Sequence, residues 1–130
     1  MEERTGVFAA GKNNLTLLGP EIKVGDKAPE FTVSGAGLKP VSLSDTAGKV
    51  RIIASVPSLD TGVCSEETQK FNELASSLPD SVTILTVSMD LPFAQARWCG
   101  AHEVDKVETV SDFKSREFGD NYGVHVKESG

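Results

Sequence analysis

Two cysteines are all this chain has, Cys64 in "PSLDTGVCSEE" and Cys99 in "RWCGAH". That scarcity excludes a disulfide-stapled scaffold. Basic residues are also few: 13 Lys and Arg against 19 Asp and Glu give a net charge of −6 and an isoelectric point near 4.9. A nucleic-acid binder normally carries a basic face, so that class is not expected. No apolar run approaches the roughly 18–20 residues that span a bilayer. The acidic start "MEERTGVF" lacks the apolar core of a signal peptide. The expected address is therefore cytoplasmic, without membrane association. In that reducing compartment a cysteine pair points to catalysis, redox chemistry or metal binding rather than a permanent bridge.

Internal repeats, low-complexity linkers, glycine-rich phosphate loops and Ser/His/Asp arrangements are also lacking. Cys99 and His102 have a spacing that suits a metal, but zinc sites want about four ligands and no second close pair exists. No metal site is expected, and His102 reads as a surface histidine. What remains is ordinary: 130 residues, 38% hydrophobic and 25% charged, enough for one domain over 1–130 with its own core.

The pattern along the chain is α/β. Residues 5–19 read as two short strands around the turn "GKNN". The Gly- and Pro-rich segment that follows holds brief extended pieces at Phe31–Val33 and Val41–Leu43. "KVRIIASVP" is a near-continuous, β-branched apolar run and predicts a fully buried strand. "CSEETQKFNELASSLP" predicts an amphipathic helix with Phe71, Leu74, Ala75 and Leu78 on its apolar face, ended by Pro79. "SVTILTVSMD" predicts a second buried strand. "PFAQARWCGAHEV" predicts a helix with Pro92 in its first turn, weakened or bent at Gly100. "KVETVSD" predicts a short strand and "FKSREFGDNYG" a weaker helix. Strands alternating with helices argue for a largely parallel sheet. The alternation breaks off at "VHVKESG", in the middle of a unit.

Cys64 stands where a helix begins. Exposed N–H groups there favour negative charge and hence the nucleophilic thiolate. Thr61 can offer its hydroxyl to the sulfur or to an oxygen bound beside it, and Pro57 can shield the thiolate and fix the turn. Glu66 and Glu67 act in the opposite sense, because nearby carboxylates disfavour a thiolate, so an additional cation is expected. The competing reading is a small buried cysteine acting as a hydrophobe, and spacing alone leaves both open. Phe93 reads as core or as part of an apolar rim, Trp98 as a packing residue, and Asp60 as a turn cap or a solvated charge.

"PSLDTGVC" before a helix, with "SMDLPFAQARWC" after the next strand, resembles the thiol peroxidases, the atypical two-cysteine peroxiredoxins. The first motif marks peroxiredoxins broadly and the second narrows the likeness, which runs from the amino-terminal hairpin to about Val126. The resemblance implies a thioredoxin-like fold with an amino-terminal β-hairpin. It implies that Cys64 is the peroxidatic cysteine, that Thr61 holds thiolate and peroxide, that Pro57 shields them, and that Cys99 is the resolving cysteine. A Cys64–Cys99 disulfide within one chain, reduced by thioredoxin, would then follow. Hydrogen peroxide and organic (alkyl) hydroperoxides are the implied substrates, a homodimer the implied assembly, and no cofactor is implied.

One departure is large. The family's key arginine lies on a strand beyond Gly130, and none of Arg4, Arg51, Arg97 and Arg116 occupies that strand. The family's closing strands and last helix are likewise lacking, so the sequence resembles a family member incomplete at its carboxy terminus. "VRIIAS" is then expected to present an unpaired edge, with apolar sheet surface left uncovered. These losses keep a second reading open: a non-catalytic, redox-sensing or partner-binding thiol protein.

Overall fold

A computed structural model describes residues 1–10 and 12–130. The chain opens on the expected hairpin, β1 (Glu3–Ala10) and β2 (Asn13–Leu18), paired antiparallel. Gly11, in the predicted turn, lies outside the described residues. Short strands β3 (Thr32–Ser34) and β4 (Pro40–Ser42) follow, each beside a single 3₁₀ turn. Then come β5 (Val50–Ser55), α1 (Gly62–Ala75), β6 (Val82–Ser88), α2 (Pro92–His102), β7 (Glu108–Ser111), α3 (Glu117–Asn121) and β8 (His125–Val126).

Five strands form one sheet in the order β4-β3-β7-β6-β5. β5, β6 and β7 run parallel, joined by the crossovers that α1 and α2 supply. Crossover helices occupy a face of the sheet, and β6, between two partners, is buried over most of its length as expected. β5, expected to be fully buried, is only partly so, with Val50 62% exposed and Ser55 exposed, because it lies at the edge. β5 pairs with β6 alone, so the unpaired edge expected of "VRIIAS" is present among the described residues. The ending "VHVKESG" has a different fate from the interrupted unit that the sequence suggests. Its His125 and Val126 pair with Leu18 and Leu17 of β2, making a separate three-stranded sheet, β1-β2-β8.

Alternate residues of a strand face opposite sides, and two apolar clusters result. Leu85 and Val87 of β6 pack with Phe31, Val110 and Phe118 on one face, where Phe31 meets Phe118 edge-on at 5.2 Å. Ile84 packs on the other face with Val56, Leu59, Trp98, Val104 and Val107. This second cluster carries the candidate site. α1 presents Cys64, Thr68, Phe71 and Ala75 along one stripe, with Thr68 only 1% exposed, and Leu78, just past the helix end, packs on the same cluster. Leu74, expected on the apolar face, is instead 57% exposed. It falls one residue off a 4-3-4-3 spacing, about 100° around the helix from Ala75.

Candidate active site

β5 ends by aiming the chain at a tight turn. Val56 N–H donates to Val87 O (2.9 Å), and Pro57 O accepts from Met89 N–H (3.3 Å), so the exit from the strand is tied to β6. Leu59, 1% exposed, plugs the turn into the second cluster. The Ser58 hydroxyl donates to Asp90 Oδ1 (2.7 Å), and Leu59 N–H donates to Asp90 Oδ2 (2.8 Å). Asp60 is exposed, and its N–H donates to Ser58 Oγ (3.2 Å).

α1 begins two residues earlier than predicted. Thr61 is its N-cap residue in extended conformation (φ −79°, ψ 143°), and Cys64 is the third residue inside. The N–H of Ser65 makes the first i→i−4 bond, to Thr61 O (2.9 Å). The amides of Gly62, Val63 and Cys64 therefore precede the intrahelical ladder, and this is the end of a helix that favours an anion. The Thr61 hydroxyl does not cap the helix. It donates to Ser58 O (3.1 Å). Its proton is thus turned away from the sulfur, and its lone pairs are what it has left to offer a peroxide O–H.

Cys64 is half-buried against the second cluster, and both thiols are free. Glu66 and Glu67 are exposed, so water screens their charge. Two of the four arginines are engaged elsewhere: Arg51 holds Leu43 O (3.0 Å) and Thr46 Oγ1 (2.7 Å), and Arg4 holds Gly19 O and Gly123 O. Among the described residues no arginine hydrogen-bonds the segment from Ser58 to Cys64.

Cys99 lies on α2, half-buried, with Sγ 3.7 Å from Thr109 Oγ1. Burial pushes its thiol pKa up, and the Thr109 hydrogen bond partly offsets this. Trp98 is buried, as a packing residue should be, and its ring lies 4.7 Å from that of exposed His102. Phe93 is 62% exposed, so it is not core; Pro92, at the helix start beside it, is buried instead. α2 runs unbroken through Gly100 to His102. A Cβ built at Gly62 or Gly100 would meet nothing within 4 Å. Neither glycine is required by packing, and their contribution is a weaker helix.

Cys64 and Cys99 thus reach one apolar cluster from two helices, with Pro57 and Thr61 on the turn before the first. Asp90, Ser58 and Gln95 were not singled out from the sequence, although a Ser and an Asp leaving a strand are residues that bind turn backbone. A separate cleft of about 550 Å³ opens on the opposite side of the sheet, between Phe8, Leu15, Leu17, Val87, Phe118 and Val126. It lies between the hairpin with β8 on one side and the end of β5 on the other. Pro57 lines it, but neither cysteine does.

The Redoxin family model matches residues 23–130. The thiol peroxidase of Bacillus subtilis (strain 168) is 56% identical over 114 residues, covering 88% of this chain and 68% of that protein. The thiol peroxidase of Halalkalibacterium halodurans is 56% identical over 116 residues, covering 89% and 69%. Among solved structures, a peroxiredoxin-like protein from Aquifex aeolicus superposes with a TM-score of 0.82 at 44% identity, covering 91% of this chain and 68% of that one. A thiol peroxidase from Chromobacterium violaceum shares the fold, with a TM-score of 0.78 at 22% identity, covering 92% and 69%. The chain spans about two-thirds of the length of these relatives.

Proposed function

The chain belongs to the Redoxin family, and within it to the thiol peroxidases, peroxide-reducing enzymes; from that membership we propose that Cys64 is its peroxidatic thiol and Cys99 the resolving one. The Cys64 thiolate attacks one peroxide oxygen, the O–O bond breaks, and water or an alcohol leaves after taking up a proton. Cys64 is then a sulfenic acid. The Cys99 sulfur displaces its hydroxyl as water, and a disulfide forms within the chain. A dithiol reductant of the thioredoxin type returns both cysteines to thiols.

One observation carries the reading: Cys64 is the third residue of α1, at the helix end whose amides lie outside the intrahelical ladder, with the Thr61 lone pairs available to a peroxide. Pro57, exposed on the exit from β5, is the residue the resemblance assigns to shielding the thiolate and peroxide. In this reading local unwinding of α1, α2 or both brings the two cysteines to the Cα separation of about 7 Å or less that a disulfide needs. Hydrogen peroxide and small alkyl hydroperoxides are the proposed substrates; exposed Phe93 and Leu91 offer apolar contact to the latter. The proposed setting is the cytoplasm, with the chain acting as one domain and assembling as a homodimer. Among the described residues no helix is long and apolar enough to cross a membrane.

A second reading is supported by the lack of an arginine on the Cys64 segment among the described residues: a thiol that is oxidised and senses peroxide without turning over. Peroxide-dependent NADPH consumption through thioredoxin reductase and thioredoxin separates the two. Sustained turnover supports the peroxidase; one round of disulfide formation without turnover supports the sensor.

A further inference from the structure

Asp90 has no part in the chemistry proposed above, yet the turn before Cys64 is fastened to its carboxylate. Oδ1 accepts the Ser58 hydroxyl (2.7 Å), while Oδ2 accepts Leu59 N–H (2.8 Å) and the Ser88 hydroxyl (2.9 Å). An ionised carboxylate is acceptor-only, with room for about four donors, so it can gather these three where a hydroxyl could not. The far side of this network is rigid. Ser88 is 1% exposed and Gln95 2% exposed, and Gln95 Nε2 donates to Ser88 Oγ (2.9 Å) and Val110 O (2.7 Å). The Ser111 hydroxyl donates to Asp90 O. β6, β7 and α2 are thus locked together behind Asp90.

The near side leads to the cysteine. Ser58 O accepts both the Thr61 hydroxyl (3.1 Å) and Thr61 N–H (3.4 Å). Whatever places Ser58 therefore places Thr61, the N-cap residue of α1, three positions before Cys64. We propose that Asp90 is a positioning residue for this turn: through Ser58 and Leu59 it orients Thr61 and the first turn of α1 for attack of Cys64 on peroxide. The functional half rests on Cys64 being the peroxidatic thiol, so the test includes a readout independent of that assignment.

The reduced chain is compared with Asp90→Ala, Asp90→Asn and Ser58→Ala by residue-resolved amide hydrogen exchange and by stopped-flow oxidation of Cys64 with hydrogen peroxide. In Asp90→Ala, the hydrogen-bonded amides of the turn, those of Leu59, Asp60, Thr61 and Ser65, should exchange about tenfold or more faster, while those of β6 hold their wild-type rates. The peroxide rate should fall about 10- to 10²-fold, as misplacement of a reacting group does. Asp90→Asn keeps an oxygen for Leu59 N–H and an NH₂ that can donate to Ser58 Oγ, so both readouts should stay within about threefold of wild type. Should Asp90→Ala not fold, Ser58→Ala carries the comparison, with both effects expected at about three- to tenfold. Exchange unchanged at Leu59, Asp60, Thr61 and Ser65, or faster by one factor across the whole chain, overturns the positioning role. So does an unchanged peroxide rate in a wild type that reacts. A wild-type Cys64 inert to peroxide would instead overturn the peroxidatic assignment, and exchange would still decide whether Asp90 holds the turn.

Discussion

The Cys99 sulfur lies 3.7 Å from the Thr109 hydroxyl, a polar contact from α2 to β7 at the side of a thiol packed against the second apolar cluster. Burial raises the Cys99 pKa above the ordinary thiol value and the threonine lowers it in part. Cys99 is therefore the thiol that stays protonated as pH rises, while Cys64 sits at the open end of α1.

Under limiting iodoacetamide near neutral pH, Cys64 should be labelled first, read by peptide mass spectrometry. Cys99 labelling should accelerate only above the pH range of a free thiol, about 8.5. In Thr109→Val the offsetting hydrogen bond is lost, so that profile should move to still higher pH. The linkage has a definite sign. Because the folded pKa of Cys99 is raised, its contribution to stability is full below the unfolded thiol pKa and declines as pH climbs through the folded value. Preferential labelling of Cys99 would reverse the two roles.

One equivalent of peroxide should join Cys64 to Cys99 within a chain, seen as a single cross-linked peptide after digestion of the monomer. In Cys99→Ser the sulfenic acid on Cys64 should last long enough for capture by a dimedone-type reagent. Interchain bridges alone in the oxidised wild type would rule out intramolecular resolution.

Leu59 and Leu74 offer a paired test of the packing. Leu59→Ala removes a fully buried plug and should cost about 2–5 kcal/mol. Leu74→Ala, on the exposed side of α1, should change stability by no more than about 0.5 kcal/mol. Urea unfolding measures both. Equal losses would mean that α1 is rotated from the orientation described, with Leu74 rather than Thr68 facing the cluster.

Extending the chain with the remaining third of the Bacillus subtilis relative should raise the second-order rate with peroxide. Supplying one preorganised donor to developing charge is worth about 10²- to 10³-fold. That segment should bring the arginine expected from the resemblance and a neighbour for the open edge of β5. Equal rates for the two chains would mean that a group already present serves as the cation.

Much of this architecture is legible in local pattern. Period-2 and period-3.6 spacing, proline at the start of α2 and after α1, and the turn residues between them mark every helix and the strands that matter, because those signals depend on neighbours within a few positions. Cys64, Cys99, Thr61 and Pro57 stand out for the same reason: each belongs to one short motif. What could not be read there depends on residues far apart in sequence. A one-residue difference, about 100° of helix, separates Leu74 from the stripe that Thr68 joins, and only the packed sheet selects between them. "VHVKESG" pairs with β2 more than a hundred positions earlier, and no local periodicity encodes a partner. The four arginines are alike in sequence, yet Arg4 and Arg51 are committed to backbone carbonyls that folding brings beside them. Asp90 is one acidic residue among 19. It becomes the anchor of the Cys64 turn because the parallel pairing of β5 with β6 sets the ends of the two strands, and hence Ser58 and Asp90, side by side.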